Sequence, residues 1–315
     1  MKLYKYASIN DLSKILLSDT FSVKFDRPVN YNDPLELFLT PKGVDEPFIF
    51  ASFHHLLGEL PQLPTTCFSK RPDVLPMWAH YGGNNTGFVL EIDEERLTDH
   101  FEAGFFEDVE YKSEIGFCDL GIIRYAAMTC KPRHVHRAQS LAFRSAYFTK
   151  SDCWSYEQER RLVLDGSHFD DNEELMIREF PASCITAIIS GCRTREEDIE
   201  LLREAATRFD CPNLHLRLGK SVSQPYFVGR QTAPEIFDGD EITAAEFSCG
   251  SCGDPMEEES LACPWCDMTE EDATEAALND PMRLFAIAGM PDPYGLSFAG
   301  IRAVGTRTKP NAEQE

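Results

Sequence analysis

Two cysteine pairs, Cys249-Gly-Ser-Cys252 and Cys263-Pro-Trp-Cys266, constrain this chain more tightly than any other pattern in it. Each C-x-x-C knuckle presents two thiolates to one ion, and their short separation lets the two knuckles close a tetrahedral shell without a large core. Zinc is the expected metal. With Cys249, Cys252, Cys263 and Cys266 all serving as ligands, no position stays open for water, so the site is expected to be structural, with metal binding supplying much of the local folding free energy. Four thiols that hold nothing are the plainer alternative. Glu257, Glu258, Glu259, Glu270, Glu271 and Asp272 surround the motif, a charge that suits a protein partner better than nucleic acid.

The other cysteines place the chain in a compartment. Of eleven in all, seven are scattered singly through apolar surroundings, which fits a reducing environment better than a disulfide framework. The amino terminus MKLYKYASINDLSKILL carries no apolar run of secretory length, and nowhere do about 18 consecutive apolar residues occur. A cytoplasmic protein without a membrane span is the expectation. The formal net charge of −23 argues against a sequence-independent grip on nucleic acid, because phosphate binding needs clustered Lys and Arg. Local basic pockets among Arg133, Arg137, Arg144, Arg160 and Arg161 stay open.

A length of 315 residues accommodates one good-sized core and an appendage. Leu3 to Tyr6 and Phe21 to Phe25 read as strands, and Ser8-x-x-Asp11 has capping-box spacing before a short helix. Val109 to Tyr111 reads as a further short strand. Leu120 to Tyr147 reads as helical, interrupted at Lys131-Pro132. Cys130, His134 and His136 lie there without a fourth ligand nearby, and surface residues are the simpler reading. Leu175 to Phe180 is strand-like, and Cys184 to Ser190 is the near-continuous apolar run of a buried strand. Thr194 is placed to cap the following helix, after which Leu214 to Leu218 returns as a strand. No G-x-G-x-x-G or Walker phosphate loop occurs. The expected fold is α+β, a mixed and mainly antiparallel sheet with flanking helices, plus a small zinc-ribbon-like module. The expected divisions are a domain over 1–230, a linker over 231–247, the module over 248–272, and a short helix with a flexible tail over 273–315.

Two stretches concentrate residues suited to chemistry. Thr66 to Asp93 sets Cys67-Phe68-Ser69 and Phe88 to Ile92 as strands around Met77-Trp78-Ala79-His80-Tyr81, with Gly82, Gly83, Asn84 and Asn85 permitting the positive φ that ends a short helix. Trp78, His80 and Tyr81 are either the wall of a ligand site or a core tryptophan beside a buried, hydrogen-bonded histidine. Trp154-Ser-Tyr-Glu-Gln-Glu-Arg-Arg-Leu passes into a strand. A period of two there sets Glu157, Glu159 and Arg161 on one face, with the two carboxylates about 7 Å apart. The alternative is a pair of solvated carboxylates matched to Arg160 or Arg161.

Taken together, LYKY at Leu3 to Tyr6, NDPLE at Asn32 to Glu36, CFS and LPMWAHY within Cys67 to Tyr81, WSYEQERRL at Trp154 to Leu162 and ITAIISG at Ile185 to Gly191 resemble the domain-of-unknown-function 2971 family over roughly residues 1–230. That resemblance implies a fold and no reaction. The order of an aromatic-basic strand, a strand carrying Ser and a strand carrying Glu-x-Glu also resembles, more distantly, the three-part active site of ADP-ribosyltransferases.

On that likeness Lys5 or Tyr6 would hold NAD, Ser69 would brace its ribose, and Glu159 and Glu157 would form the catalytic pair. Trp78, His80 and Tyr81 would complete the cofactor wall. The first position departs from the usual Arg or His, which bears on cofactor binding. The expectation is a bacterial-type cytoplasmic protein, either an NAD-consuming ADP-ribosyltransferase-like enzyme acting as a toxin or defence effector, or a non-catalytic nucleotide- or peptide-binding adaptor. In the second case the zinc module recruits a protein partner.

Overall fold

A computed structural model describes residues 1–39, 46–57, 61–116, 119–169, 175–229 and 233–280, together with 283 and 287–289. The chain divides into two compact units, Met1–Leu261 and Ala262–Glu315. In chain order the strands are β1 (Lys2–Ala7), β2 (Thr20–Phe25), β3 (Thr65–Ser69), β4 (Phe88–Asp93), β5 (Gly104–Asp108), β6 (Glu110–Lys112), β7 (Thr149–Ser151), β8 (Glu159–Leu164), β9 (Met176–Pro181), β10 (Ile185–Ser190), β11 (Asn213–Arg217), β12 (Tyr226–Val228), β13 (Pro234–Phe237), β14 (Ile242–Ala244), β15 (Phe247–Ser248) and β16 (Pro255–Met256).

Ten of these strands form one sheet in the order β14-β13-β12-β11-β10-β4-β1-β3-β8-β5. Its neighbours run antiparallel except β10 and β11, the parallel pair connected through the helix Glu196–Arg208. Side chains of the central strands alternate between two cores. Leu3, Phe88, Leu90, Ile92 and Ile188 pack on one face, whereas Tyr4, Tyr6, Val89 and Ile189 pack on the other. Burial on both faces explains why Cys184 to Ser190 reads as a near-continuous apolar run instead of an alternating one.

Local chemistry accounts for the breaks between elements. Cys130 ends the helix Leu120–Thr129 in the left-handed region at φ 51°, and Pro132 opens the helix Pro132–Tyr147 at its first turn, where a missing N–H costs nothing. Gly83, Asn84 and Asn85 take φ of 56°, 62° and 69° after the helix Leu75–His80, which lets the chain reverse into β4. Gly191 must lack a side chain, since a Cβ there would come 2.4 Å from the Asn85 carbonyl oxygen. Thr194 does not cap the next helix. Arg195 occupies that position with no side-chain cap, because the Thr194 hydroxyl donates instead to the Gly87 carbonyl at 3.0 Å.

The residues expected to form a linker, 231–247, contribute β13 and β14 to the sheet edge. Between β15 and β16 the first knuckle turns tightly: Gly253 N–H donates to the Cys249 carbonyl at 2.9 Å, with Gly253 at φ 77°. In the second unit, Cys263 precedes a single helical turn opened by Pro264. There Cys266 and Asp267 N–H both donate to the Cys263 carbonyl at 2.9 Å. Thr269 and Asp272 form a capping box on the helix Glu270–Leu278. The expected tail beyond 289 lies outside the described residues.

Candidate functional site

β1 and β3 are sheet neighbours, yet they pair at one register position, Tyr4 opposite Ser69. Elsewhere along this seam the ladder is open, and Lys5 reaches across it. Its ammonium donates to the Thr66 hydroxyl oxygen and to the Cys67 carbonyl, both at 2.8 Å, in place of backbone pairing. Burial lowers the Lys5 pKa below the ordinary lysine range. A cleft of about 420 Å³ opens here, lined by Lys5, Tyr6, Ser69, Tyr81, Glu157 and Glu159 among others. Its size suits a small ligand.

β8 follows β3 in the sheet, and Ser69 stands opposite Glu159, so Tyr4, Ser69 and Glu159 share one row across three strands. Glu157 reaches the same cleft by a different route from the one its spacing suggests. It closes a 3-10 helix, Asp152–Glu157, and Gln158 turns the chain in the left-handed region at φ 42° before β8 begins. The regular strand with a two-residue repeat expected for Glu157 to Arg161 therefore starts only at Glu159.

Nor are the two carboxylates solvated, since both are buried. Lys150 of β7 bridges them, 2.6 Å from Glu157 Oε2 and 3.2 Å from Glu159 Oε2. Arg161, fully buried, donates from Nε to Glu159 Oε1 at 2.6 Å and from its terminal nitrogens to Glu36 and to the Tyr147 carbonyl. The matching with arginine is thus with Arg161, inside the protein, whereas Arg160 pairs with Glu94 and Asp108.

Burial pushes the Glu159 carboxyl up, but Arg161 and then Lys150 outweigh it and hold the group at about 2. Burial works against the Lys150 charge, and Glu159 with Glu157 reverses that, raising its pKa. Tyr81 donates its hydroxyl to Glu157 Oε1 at 2.7 Å. Burial, then Glu157, raises that phenol well above its usual range. Burial and the nearby Glu159 push the Cys67 thiol up to about 12, which removes it as a nucleophile at neutral pH.

The remaining expected residues fall in different places. The Ser69 hydroxyl is buried, donates to the Glu157 carbonyl at 2.7 Å and accepts from Arg71 N–H, so it braces the turn that presents Glu157. Tyr6 turns its hydroxyl to the Arg71 carbonyl at 2.8 Å and sets its ring against Trp78 at 5.3 Å. Trp78 is a core residue beneath the site, 0% exposed, with Nε1 donating to the Pro72 carbonyl at 2.7 Å. His80 is exposed, with its ring 6.3 Å from Tyr81 and from Tyr156. Trp78 and His80 therefore flank cleft-lining residues without lining the cleft themselves, because successive positions of one helical turn point to different sides.

Lys150, Glu36 and Tyr31 were not legible as site residues. Tyr31 lines the cleft and donates to the Thr65 carbonyl at 2.9 Å. Asn30, Asn32 and Asp33, from the same turn, line the cleft with it.

The four cysteines of the paired knuckles form a second site. Their Sγ atoms all lie within 4.8 Å of one another, with Cys249 and Cys263 buried and Cys252 and Cys266 exposed. A tetrahedral ion bound at about 2.3 Å would set its sulfurs about 3.8 Å apart, so the cluster could hold one. No helix among the described residues is long and apolar enough to cross a membrane.

Fold and cleft define a mixed, mainly antiparallel α+β domain with a ligand-sized opening in its sheet, followed by a four-cysteine cluster able to hold a metal. Residues 77–162 match the model of the family described as Protein of unknown function (DUF2971). The match takes in Tyr81, Lys150, Glu157, Glu159 and Arg161, and covers the middle of the stretch over which the resemblance was expected. No curated protein and no solved structure matches the chain.

Proposed function

We propose that the cleft binds a ribose-bearing nucleotide, NAD foremost, and that the protein transfers or hydrolyses at the ribose carbon bearing nicotinamide. One observation carries this reading: Tyr6, Ser69, Glu157 and Glu159, drawn from three neighbouring strands and the turn before one of them, line a single cleft. Loss of nicotinamide leaves an oxocarbenium-like ribose, and a carboxylate facing that charge stabilises its formation. Glu159 is the residue for that role, ionised at neutral pH and anchored from behind by Arg161. Glu157, with Tyr81 on one oxygen and Lys150 on the other, positions the acceptor. The cysteine cluster takes zinc as a closed structural site, and its acidic surroundings recruit a protein partner in a reducing, cytoplasmic setting.

Incubating the full chain with NAD and measuring released nicotinamide tests the reaction. Turnover in the parent, with Glu159→Gln lower by on the order of a hundredfold and still folded by circular dichroism, is the expected result. Equal turnover in both proteins would overturn the mechanism, and an absence of calorimetric NAD binding by the parent would overturn the ligand.

A second reading, a non-catalytic nucleotide- or peptide-binding adaptor, is favoured by the engagement of both Glu159 oxygens by Arg161 and Lys150, which offsets the charge available to a substrate. NAD binding by the parent without turnover selects it.

A further inference from the structure

We propose that the groove at the carboxyl ends of β10 and β11 is a second binding site, one for a compact phosphate group such as a phosphomonoester. The groove has a volume of about 490 Å³ and is lined by Arg193, His215, Arg217, Lys220, Tyr226 and Asp254, among others. Arg193 follows β10 by three positions, and Arg217 ends β11. In open α/β sheets ligands collect outside the carboxyl ends of parallel strands, where the loops diverge and leave a crevice. β10 and β11 are the parallel pair of this sheet.

Its charge sets this groove apart from the rest of a chain with a net charge of −23. Arg193, Arg217 and Lys220 are exposed, and among the described residues none of them pairs with a carboxylate. Several arginines elsewhere are matched to carboxylates, as Arg160 is to Glu94 and Asp108, Arg161 to Glu159 and Arg195 to Asp198. The acid that does line the groove is already committed. Asp254 accepts at Oδ2 from Lys220 N–H at 2.8 Å, Ser221 N–H at 3.3 Å and the Ser221 hydroxyl at 3.2 Å, and at Oδ1 from Tyr226 at 3.0 Å.

Those bonds also fix the loop that carries Lys220. A Cβ at Gly219 would come 2.9 Å from Asp254 Oδ2, so the glycine is what lets the loop close on the carboxylate. Two guanidinium forks and an ammonium converging on one groove match a tetrahedral oxyanion, which takes paired N–H donors from arginine. The strongly negative surface as a whole repels a long polyanion, which favours a single compact phosphate over a nucleic-acid backbone.

Titration of the full chain with inorganic phosphate by calorimetry tests the site, alongside the double variant Arg217→Ala, Lys220→Ala. The parent is expected to bind saturably, and the double variant to bind at least roughly tenfold more weakly. If the double variant loses its fold by circular dichroism, Arg193→Gln on the loop after β10 supports the same comparison, with a smaller loss expected. No saturable binding by the parent, an affinity unchanged by the substitutions, or tighter binding of a short single-stranded oligonucleotide than of phosphate would each overturn the proposal.

Discussion

The ammonium of Lys150 lies 2.6 Å from the Glu157 carboxylate, and both side chains are buried, with 8% and 5% of their surface exposed. Such a pair is costly to break one partner at a time. Removing either charge strands the other where water cannot replace it.

Lys150→Met is therefore expected to destabilise the protein by about 3–5 kcal/mol, because it leaves Glu157 and Glu159 without their shared cation. Urea unfolding measures the loss. Adding Glu157→Gln to Lys150→Met should recover part of it, and a double variant no more stable than Lys150→Met alone would show that the pair is not the cause.

Stability should also fall in acid in a defined window. The folded Glu159 carboxyl is held at about 2 against an ordinary 4.5, so its contribution is present above the unfolded value and lost as pH falls from about 4.5 towards 2. The difference corresponds to roughly 3 kcal/mol. Unfolding free energies measured across that range should drop steeply for the parent and less steeply for Glu159→Gln, which has no proton to take up there.

Elemental analysis of freshly purified, reduced protein should find one zinc per chain, and Cys263→Ser should lower that content towards zero. The sheet should survive the substitution, since its core lies in the Leu3, Phe88 and Ile188 cluster. Metal content near zero in the parent would remove the zinc assignment, and loss of the sheet's circular dichroism in the variant would show that metal and sheet fold together.

Neighbouring residues of one short helix should answer very differently to truncation. Trp78→Ala removes a fully buried ring and a hydrogen bond to Pro72, an expected loss of about 3–5 kcal/mol. His80→Ala, at an exposed position, should stay within about 0.5 kcal/mol. Thermal unfolding of both variants compares them directly.

Much of the frame was legible from local pattern. The strands β1, β2, β4, β9, β10 and β11 lie where alternation or apolar runs place them, and the break between Thr129 and Pro132 follows from proline chemistry. The convergence of Lys5, Tyr6, Ser69, Glu157 and Glu159 on one cleft was legible only as an analogy between strand orders, since neither spacing nor composition says which strands become neighbours. The cation that organises the cleft was not legible at all. Lys150 sits in a three-residue strand whose sequence, Thr-Lys-Ser, is that of any exposed edge, and its burial depends on Glu157 and Glu159 arriving from a later turn.

By itself the sequence determined the four-cysteine cluster, the α+β alternation of strands and helices, and the glycine and asparagine turns, because each depends on residues close together in the chain: ligand spacing, side-chain periodicity and allowed φ. Only the tertiary structure decided that Trp78 is core while Tyr81 faces the cleft, that Arg161 and not Arg160 is the buried partner of Glu159, and that Arg193, Arg217 and Lys220 share one groove. Those outcomes rest on contacts between distant segments. There burial strengthens electrostatic pairing and penalises any charge left alone, and that preference acts only once the strands have been laid side by side.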